Sequence, residues 1–387
     1  MKDGVIEFKG IPFVGEQPGG KNRYKAPVPF EADDGVYEAY FYEKSPCQEV
    51  EESEEASFYP QSEACLYLNV WKNMDDTSEK KPVMVWIHGG AFEQGGTVEP
   101  LYQGFNFAKA NPDVTLVTIT YRIGAMGFIH LSQLPDGADY PDAQSLGLLD
   151  QQMALRWIYE NIVGFGGDPQ NITVFGESAG GCSVTLLPLM PEAKKYVCGK
   201  PDSFVDYFGR RIEAKIASLP PEDAEKLRSY YDTCAELPYK RVEKVGNQLY
   251  FIAPSYRLTE CQAAGGGRVW QYYFRVESRL PYILSGHAVE VAAVLNNSED
   301  TVITGRPFDQ TFCRTMQRMW VPFAKTGDPS LTAEQSPDGK AHFWPQYTSE
   351  KKEIMVFDEF DIHPSIEGEY KILDWERCYP QTKYYTF

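Results

Sequence analysis

The stretch Val174-Phe175-Gly176-Glu177-Ser178-Ala179-Gly180-Gly181 constrains this chain more than any other. It joins a β-branched and aromatic run, Asn171–Phe175 (NITVF), to a segment that can start a helix, Gly181–Leu187 (GCSVTLL). The run predicts a strand, and between strand and helix sits G-x-S-x-G. Ser178 on such a sharp turn must take a strained backbone if its hydroxyl is to leave the sheet edge. Side chains two residues to either side would collide with the helix and the neighbouring strand, so Gly176 and Gly180 carry none. A bare G-x-S-x-G also occurs as an ordinary Gly-rich turn. The strand before it, the helix after it and the partner groups elsewhere in the chain mark Ser178 as a candidate nucleophile.

The flanking pattern predicts the sheet on which this turn sits. Val83–His88 (VMVWIH) and Val114–Tyr121 (VTLVTITY) are continuous apolar runs, as strands buried on both faces should be. Leu66–Trp71 alternates and reads as a further strand, and Leu146–Ile162 has helical spacing. Strands alternating with helices indicate an α/β chain with a doubly wound, mostly parallel sheet. With 387 residues, 43% of them apolar, no internal repeat and no linker, residues 1–387 read as a single domain. Residues 4–30 look like an edge hairpin and a wrapping loop. The acidic, irregular stretch 31–62 is too long for a plain connector and is expected to cover part of the site entrance. Beyond the turn the pattern weakens. A short strand is the most that 192–199 holds, and 203–234 looks helical, with Pro220-Pro221 opening a new helix. Arg268–Val276 reads as a strand, 287–295 and 309–325 as helices, and the stretch around KEIMVF as a small hairpin.

Charge and cysteine usage narrow the function classes. Lys+Arg 37 against Asp+Glu 55 gives a net charge of −18, which argues against nucleic acid or an anionic membrane as the main partner. No apolar run reaches the length of a membrane span, and the start MKDGVIEFKG has no apolar leader core, so a cytoplasmic protein is expected. The eight cysteines form no C-x-x-C and pair with no His at zinc spacing, so no metal site is expected. Cys47 and Cys65 could close a surface loop, adding about 3 kcal/mol if oxidised. In a cytoplasmic protein two free thiols are expected instead.

Ser is a poor nucleophile at its own pKa and needs a base within hydrogen-bond reach. The histidines are His88, His130, His287, His342 and His363. The chain order nucleophile, acid, base excludes His88 and His130. His342 and His363 follow no strong strand, whereas His287 follows the strand 268–276 by a short loop and is the candidate base. His88-Gly89-Gly90-Ala91 directly follows an apolar strand, where two glycines let backbone N–H groups approach an oxyanion closely. The N–H of Ala179, just after the nucleophile, is the third candidate donor.

With these segments in view the chain resembles the type-B carboxylesterase/lipase family of α/β-hydrolases, which includes the cholinesterases. The matching stretches are FKGIPF (8–13), SEACLYLNVW (62–71), PVMVWIHGGAF (82–92), TYRIGAMGF (120–128) and the long run 145–184; SGHAVEVAAVLNN (285–297) and MWVPFAKTGDPS (319–330) resemble the family's His loop and late helix. The resemblance implies an α/β-hydrolase fold and hydrolysis of a small-molecule ester through an acyl-enzyme without a cofactor. It assigns Ser178 as nucleophile, His287 as base, and Gly89, Gly90 and Ala179 as oxyanion donors. It also implies two buried ion pairs, Arg122–Asp150 and Arg23–Glu63. One departure matters: the family's later core strand near A-I-x-x-S-G and its acid motif G-T-x-x-D-E-G have no counterpart after 190–195, as if part of the cap and late core were deleted. The replacement acid should lie between Ser178 and His287. Asp202 is the first candidate and Asp206 the second, although Asp202 reads equally well as a turn residue in KPDS. The rival readings are an esterase impaired by the missing acid and a non-catalytic esterase-like binding module. Oligomeric state is left open.

Overall fold

The computed structural model describes residues 3–31, 35–49, 60–74, 80–131, 134–190, 219–233, 248–280, 285–299, 301 and 303–372. Packing divides the chain into two compact units, one of residues 1–199, 291–300 and 313–329 and one of 200–290, 301–312 and 330–387.

The first unit is built on five strands: β1 (Val5–Pro12), β2 (Tyr67–Asn73), β3 (Lys81–Ile87), β4 (Thr115–Ile119) and β5 (Gly167–Gly176). Their order in the sheet is β1-β2-β4-β3-β5. β3 pairs parallel with both β4 and β5, and β2 pairs antiparallel with β1 and β4. Every strand but β2 therefore runs the same way, as the apolar runs predict. The core packs Val83, Val85 and Ile87 of β3 and Val117 and Ile119 of β4 against Leu155 and Ile158, all fully buried. The last two belong to α2 (Leu146–Asn161); α1 (Phe105–Ala110) precedes it and α3 (Ala179–Leu186) follows β5. Each such side chain removed from water contributes ~1.5–3 kcal/mol.

Several boundaries differ from the sequence-based expectation. The stretch 4–30 closes on itself only through the antiparallel bridge Val14–Pro29, and its strand β1 pairs instead with β2 some sixty residues later (Val5↔Asn73, Phe8↔Val70). The register shifts between Phe8 and Ile11, where Gly10 (φ +73) receives its contacts from elsewhere: its N–H donates to Asn69 Oδ1 at 2.9 Å, and a Cβ there would lie 2.6 Å from the Phe41 carbonyl oxygen. A bulge at a glycine lets segment 39–41 cross the edge strand. The helix after Ser178 starts at Ala179, two residues earlier than expected.

The second unit contains α4 (Pro221–Thr233), opened by the proline pair as expected, and α5 (Ala253–Ala264). Its sheet has three strands, β6 (Tyr272–Phe274), β7 (Glu353–Asp358) and β8 (Asp361–Ile366), in the order β8-β7-β6. The β7–β8 hairpin is the one expected around KEIMVF. The strand expected over 268–276 is reduced to the three residues that pair with Met355–Phe357. The helix expected over 287–295 is a single turn, Val291–Val294, while α6 (Gln310–Thr326) runs its expected length.

Of the two ion pairs implied by the resemblance, both form and one is buried. Asp150 accepts Arg122 Nε at 2.7 Å, a second guanidinium N–H at 2.6 Å and the Arg122 backbone N–H at 3.0 Å. A further guanidinium N–H donates to the Lys25 carbonyl at 2.8 Å, so one residue ties the end of β4, helix α2 and the N-terminal loop. Burial raises the Asp150 carboxyl above its ordinary range, and the Arg122 N–H groups oppose that. Arg23–Glu63 is bidentate, with Nε to Oε2 at 2.6 Å, but Arg23 is half-exposed. The expectation of burial is corrected there: the pair lies at the surface, where solvent screens it.

Asp150→Ala leaves a buried guanidinium without its carboxylate and should cost roughly 3–5 kcal/mol in urea unfolding. A loss below about 1 kcal/mol would contradict the buried-pair account. Glu63→Ala should leave the urea midpoint within error of the parent.

Candidate active site

β3 and β5 are parallel neighbours in matched register (Trp86↔Phe175, Ile87↔Gly176), so the loops that leave their C-terminal ends emerge side by side. His88-Gly89-Gly90 leaves β3 and Glu177-Ser178 leaves β5. Ser178 has φ 55 and ψ −119, a conformation that a non-glycine residue avoids at a cost of ~1–3 kcal/mol. The surroundings enforce it. A Cβ on Gly176 would lie 2.6 Å from the Gly180 carbonyl carbon and 2.7 Å from the Ile87 oxygen. One on Gly180 would overlap the Ile87 oxygen and sit 2.9 Å from that of His88. Only glycines permit α3 to start this close to the end of β3.

Gly89 closes against Ser178: a Cβ there would meet Ser178 Cβ at 3.0 Å and overlap the Glu177 carboxylate. Among the described residues, the N–H groups of Gly89, Gly90 and Ala179 donate to no other group. Ala179 is the first residue of α3, so its N–H also carries the positive end of the helix dipole.

The two glycine donors are aimed from behind. In a trans peptide N–H and C=O point opposite ways, so holding the carbonyl fixes the donor. The Gly89 N–H shares its peptide with the His88 carbonyl, which accepts the Tyr121 hydroxyl at 2.9 Å. The Gly90 N–H shares its peptide with the Gly89 carbonyl, which lies 2.9 Å from His88 Nδ1. A carbonyl oxygen only accepts, so Nδ1 carries the proton. The His88 ring stacks on Tyr121 (centroids 4.4 Å apart, planes at 18°) and is fully buried, which pushes its pKa down to about 4. Burial likewise pushes the Tyr121 phenol up, so it stays a donor. The loop then turns through three positive-φ residues, Gly90 (99), Ala91 (56) and Phe92 (61), closed by Glu93 and Gln94 N–H groups that both donate to the Gly90 carbonyl at 2.9 Å. Phe92 packs on Phe128 at 5.0 Å, which offsets the strain of its backbone.

The other candidates are placed as follows. His287 is exposed and belongs to the second unit, where its ring lies 4.5 Å from that of Phe251. Its loop is held by Ser285 Oγ on the Arg275 carbonyl (3.0 Å), and Ala288 after it has φ 69. Asp202 and Asp206 lie outside the described residues. His342 is occupied locally: its Nε2 meets Asp338 at 2.9 Å, whose other oxygen accepts Ser336 Oγ at 2.6 Å. Cys47 and Cys65 are free thiols, and burial pushes both up. Among the described residues no cluster of His, Cys, Asp and Glu is arranged to hold a metal, and no helix is long and apolar enough to cross a membrane. Sequence reasoning missed Tyr121 as the anchor of the His88 carbonyl, although it stands in the quoted segment TYRIGAMGF. It also missed Gln48, described below, which lies in irregular chain where no periodicity points to it.

A model of the carboxylesterase family matches residues 1–199 and 217–367. The chain belongs to the carboxylesterase family. The unmatched interval 200–216 takes in Asp202. Curated relatives include a para-nitrobenzyl esterase of Bacillus subtilis, 48% identical over 50% of this chain, and an acetylcholinesterase of Electrophorus electricus, 39% identical over 49%. The chain spans well under half of these relatives' length, 38% and 30% respectively. Among solved structures, a Geobacillus stearothermophilus carboxylesterase superposes with a TM-score of 0.76 at 28% identity, covering 96% of each chain. A PNB esterase does so with a TM-score of 0.77 at 29% identity, covering 94% of each. The α/β-hydrolase fold read from the sequence is therefore the fold of this carboxylesterase-family chain.

The state of His88 sets a pH dependence. Its folded pKa of about 4 lies below the ordinary 6.5, so the unfolded chain takes up the proton first as pH falls. The associated stability, about 3 kcal/mol, is present above pH 6.5 and is lost as pH falls toward 4. Urea titrations at pH 7 and 4.5 should give a smaller pH slope for His88→Asn than for the parent; equal slopes would rule His88 out as the source.

Proposed function

We propose that the chain is a serine esterase that hydrolyses small carboxylic esters through an acyl-enzyme. The observation that carries this reading is Ser178 at φ 55, at the first turn of a helix and closed upon by Gly89. In the proposed mechanism Ser178 Oγ attacks the ester carbonyl carbon while His287 takes its proton. The oxyanion forms against the Gly89, Gly90 and Ala179 N–H groups; losing one such donor typically costs about 10² to 10³ in rate. The tetrahedral species collapses, His287 returns the proton to the leaving alcohol, and the acyl group stays on Ser178. Water then attacks through the same base, releasing the carboxylic acid and restoring the hydroxyl. Asp202, proposed on sequence order alone, orients the imidazole.

A second reading is favoured by the break in the family match over 200–216. On it the triad lacks its acid, and catalysis falls to the ~10³ to 10⁴ over water that an oxyanion hole and binding supply. Activated esters would then be the only substrates with measurable turnover.

An organophosphonate ester should label the protein once, at Ser178, and abolish hydrolysis of a p-nitrophenyl short-acyl ester. Labelling at another residue, or full activity in Ser178→Ala, would refute the nucleophile. Asp202→Asn should lower kcat about 10⁴-fold if that carboxylate holds the histidine tautomer. Parental kcat in this variant removes Asp202 from the mechanism.

A further inference from the structure

We infer that Gln48 is a positioning residue for the oxyanion loop. The inference rests on the esterase reading above and concerns the same site. Gln48 follows the short pairing of Ser45–Pro46 with Gln61–Ser62, in the irregular acidic stretch. Its side-chain amide engages both polar groups of one residue in the loop after β3. Gly95 N–H donates to Gln48 Oε1 at 2.8 Å, and Gln48 Nε2 donates to the Gly95 carbonyl at 3.0 Å and the Pro46 carbonyl at 3.1 Å. The amide thus mimics a rung of a β-ladder and fixes Gly95 in two directions at once.

Gly95 matters because of what it touches. It has φ +105, and a Cβ on it would lie 2.9 Å from the Gly89 carbonyl oxygen and 2.8 Å from His88 Nδ1. These are the two atoms whose hydrogen bond aims the Gly90 N–H. The Gly95 backbone therefore forms the outer wall of that peptide, and Gln48 holds the wall. Other contacts fasten the loop on either side of Gly95: before it, Glu93 and Gln94 N–H groups donate to the Gly90 carbonyl, and after it Gly96 packs against Ser45 and Thr97 Oγ1 accepts from Asn69 Nδ2 at 3.0 Å, while the Gln48 amide holds Gly95 itself. Without the Gln48 amide, Gly95 can retreat, and the Gly89–Gly90 peptide gains room to tilt. The donor would then be displaced from the position where negative charge develops, which lowers the rate of attack more than it weakens ester binding.

The test uses the full chain and three variants. Gln48→Met keeps volume but no hydrogen bond. Gln48→Glu keeps the acceptor and faces the Gly95 carbonyl with an anion. Gln61→Ala removes only the bond that Gln61 Oε1 accepts from the Gln48 backbone N–H (3.0 Å), and so loosens the segment without touching the amide clamp. Each is assayed with a p-nitrophenyl ester and its thionoester, whose sulfur is larger and a poorer acceptor in an oxyanion hole, alongside a thermal melt. For both Gln48 variants kcat on the oxo ester should fall about tenfold with KM within about twofold, and the oxo-to-thiono rate ratio should fall severalfold. Gln61→Ala should keep the parental ratio. The inference is overturned if the ratio stays parental in the Gln48 variants, if both esters slow equally, if only the melting temperature moves, or if Gln61→Ala lowers the ratio as much. A parent protein that neither turns over the oxo ester nor reacts with the phosphonate overturns the esterase reading itself, and this inference with it.

Discussion

The first turn of α3 rests backbone against backbone on the end of β3, and the site follows from that contact. Gly180 leaves no space for a Cβ beside the Ile87 carbonyl, and Gly176 leaves little more beside Gly180. Once two chain segments are this close, Ser178 between them has no relaxed conformation available. Its positive φ is a consequence of packing, held because the sheet pairs β3 and β5 in parallel register. The same register brings His88-Gly89-Gly90 beside Ser178, and Tyr121 and His88 then orient the Gly89 and Gly90 N–H groups. The parallel register thus places the candidate nucleophile and the candidate oxyanion donors together.

Arg122 plays a comparable part beyond the C-terminal end of β4. It sits just past the strand, forks onto Asp150 and reaches Lys25. Gly127 packs directly on its carbonyl, and Gly147 meets both that carbonyl and the Phe128 ring. Its immediate predecessor is Tyr121, whose hydroxyl holds the His88 carbonyl. The buried ion pair therefore fixes the chain at the residue adjoining the one that orients the Gly89 N–H, a candidate oxyanion donor. Whatever it contributes to stability, its position couples the packing of α2 to the geometry of the loop.

Much of this was legible in the sequence, and the reasons differ from residue to residue. The runs at 83–88 and 114–121 identify buried parallel strands because they are short and rich in apolar and β-branched residues on both alternating faces. Gly176 and Gly180 are legible because an elbow has no other solution. Arg122–Asp150 came through resemblance, which supplied the pairing but misjudged the exposure of Arg23–Glu63; burial depends on what covers a pair, and local sequence does not record it. The Gln48 clamp was invisible for a related reason: a side-chain amide that reads a distant backbone group leaves no periodic trace. β1 misled because a hairpin is the cheaper local guess, and its true partner lies beyond a long irregular stretch. Asp202 rested on chain order, the weakest signal used, in the interval where the family match breaks.

His88 is held neutral, so the loop after β3 presents dipoles at Gly89 and Gly90 and no formal positive charge. Dipolar fields fall off faster than those of a charge and act only over the few ångströms where an oxygen is becoming negative. A full cation there would attract carboxylates at a distance and retain them after reaction. On the proposed esterase reading, a product carboxylate would meet no formal positive charge in the loop 88–97 of a protein whose net charge is −18. The burial of one imidazole would, on that reading, leave the acid free to depart without a cation to hold it.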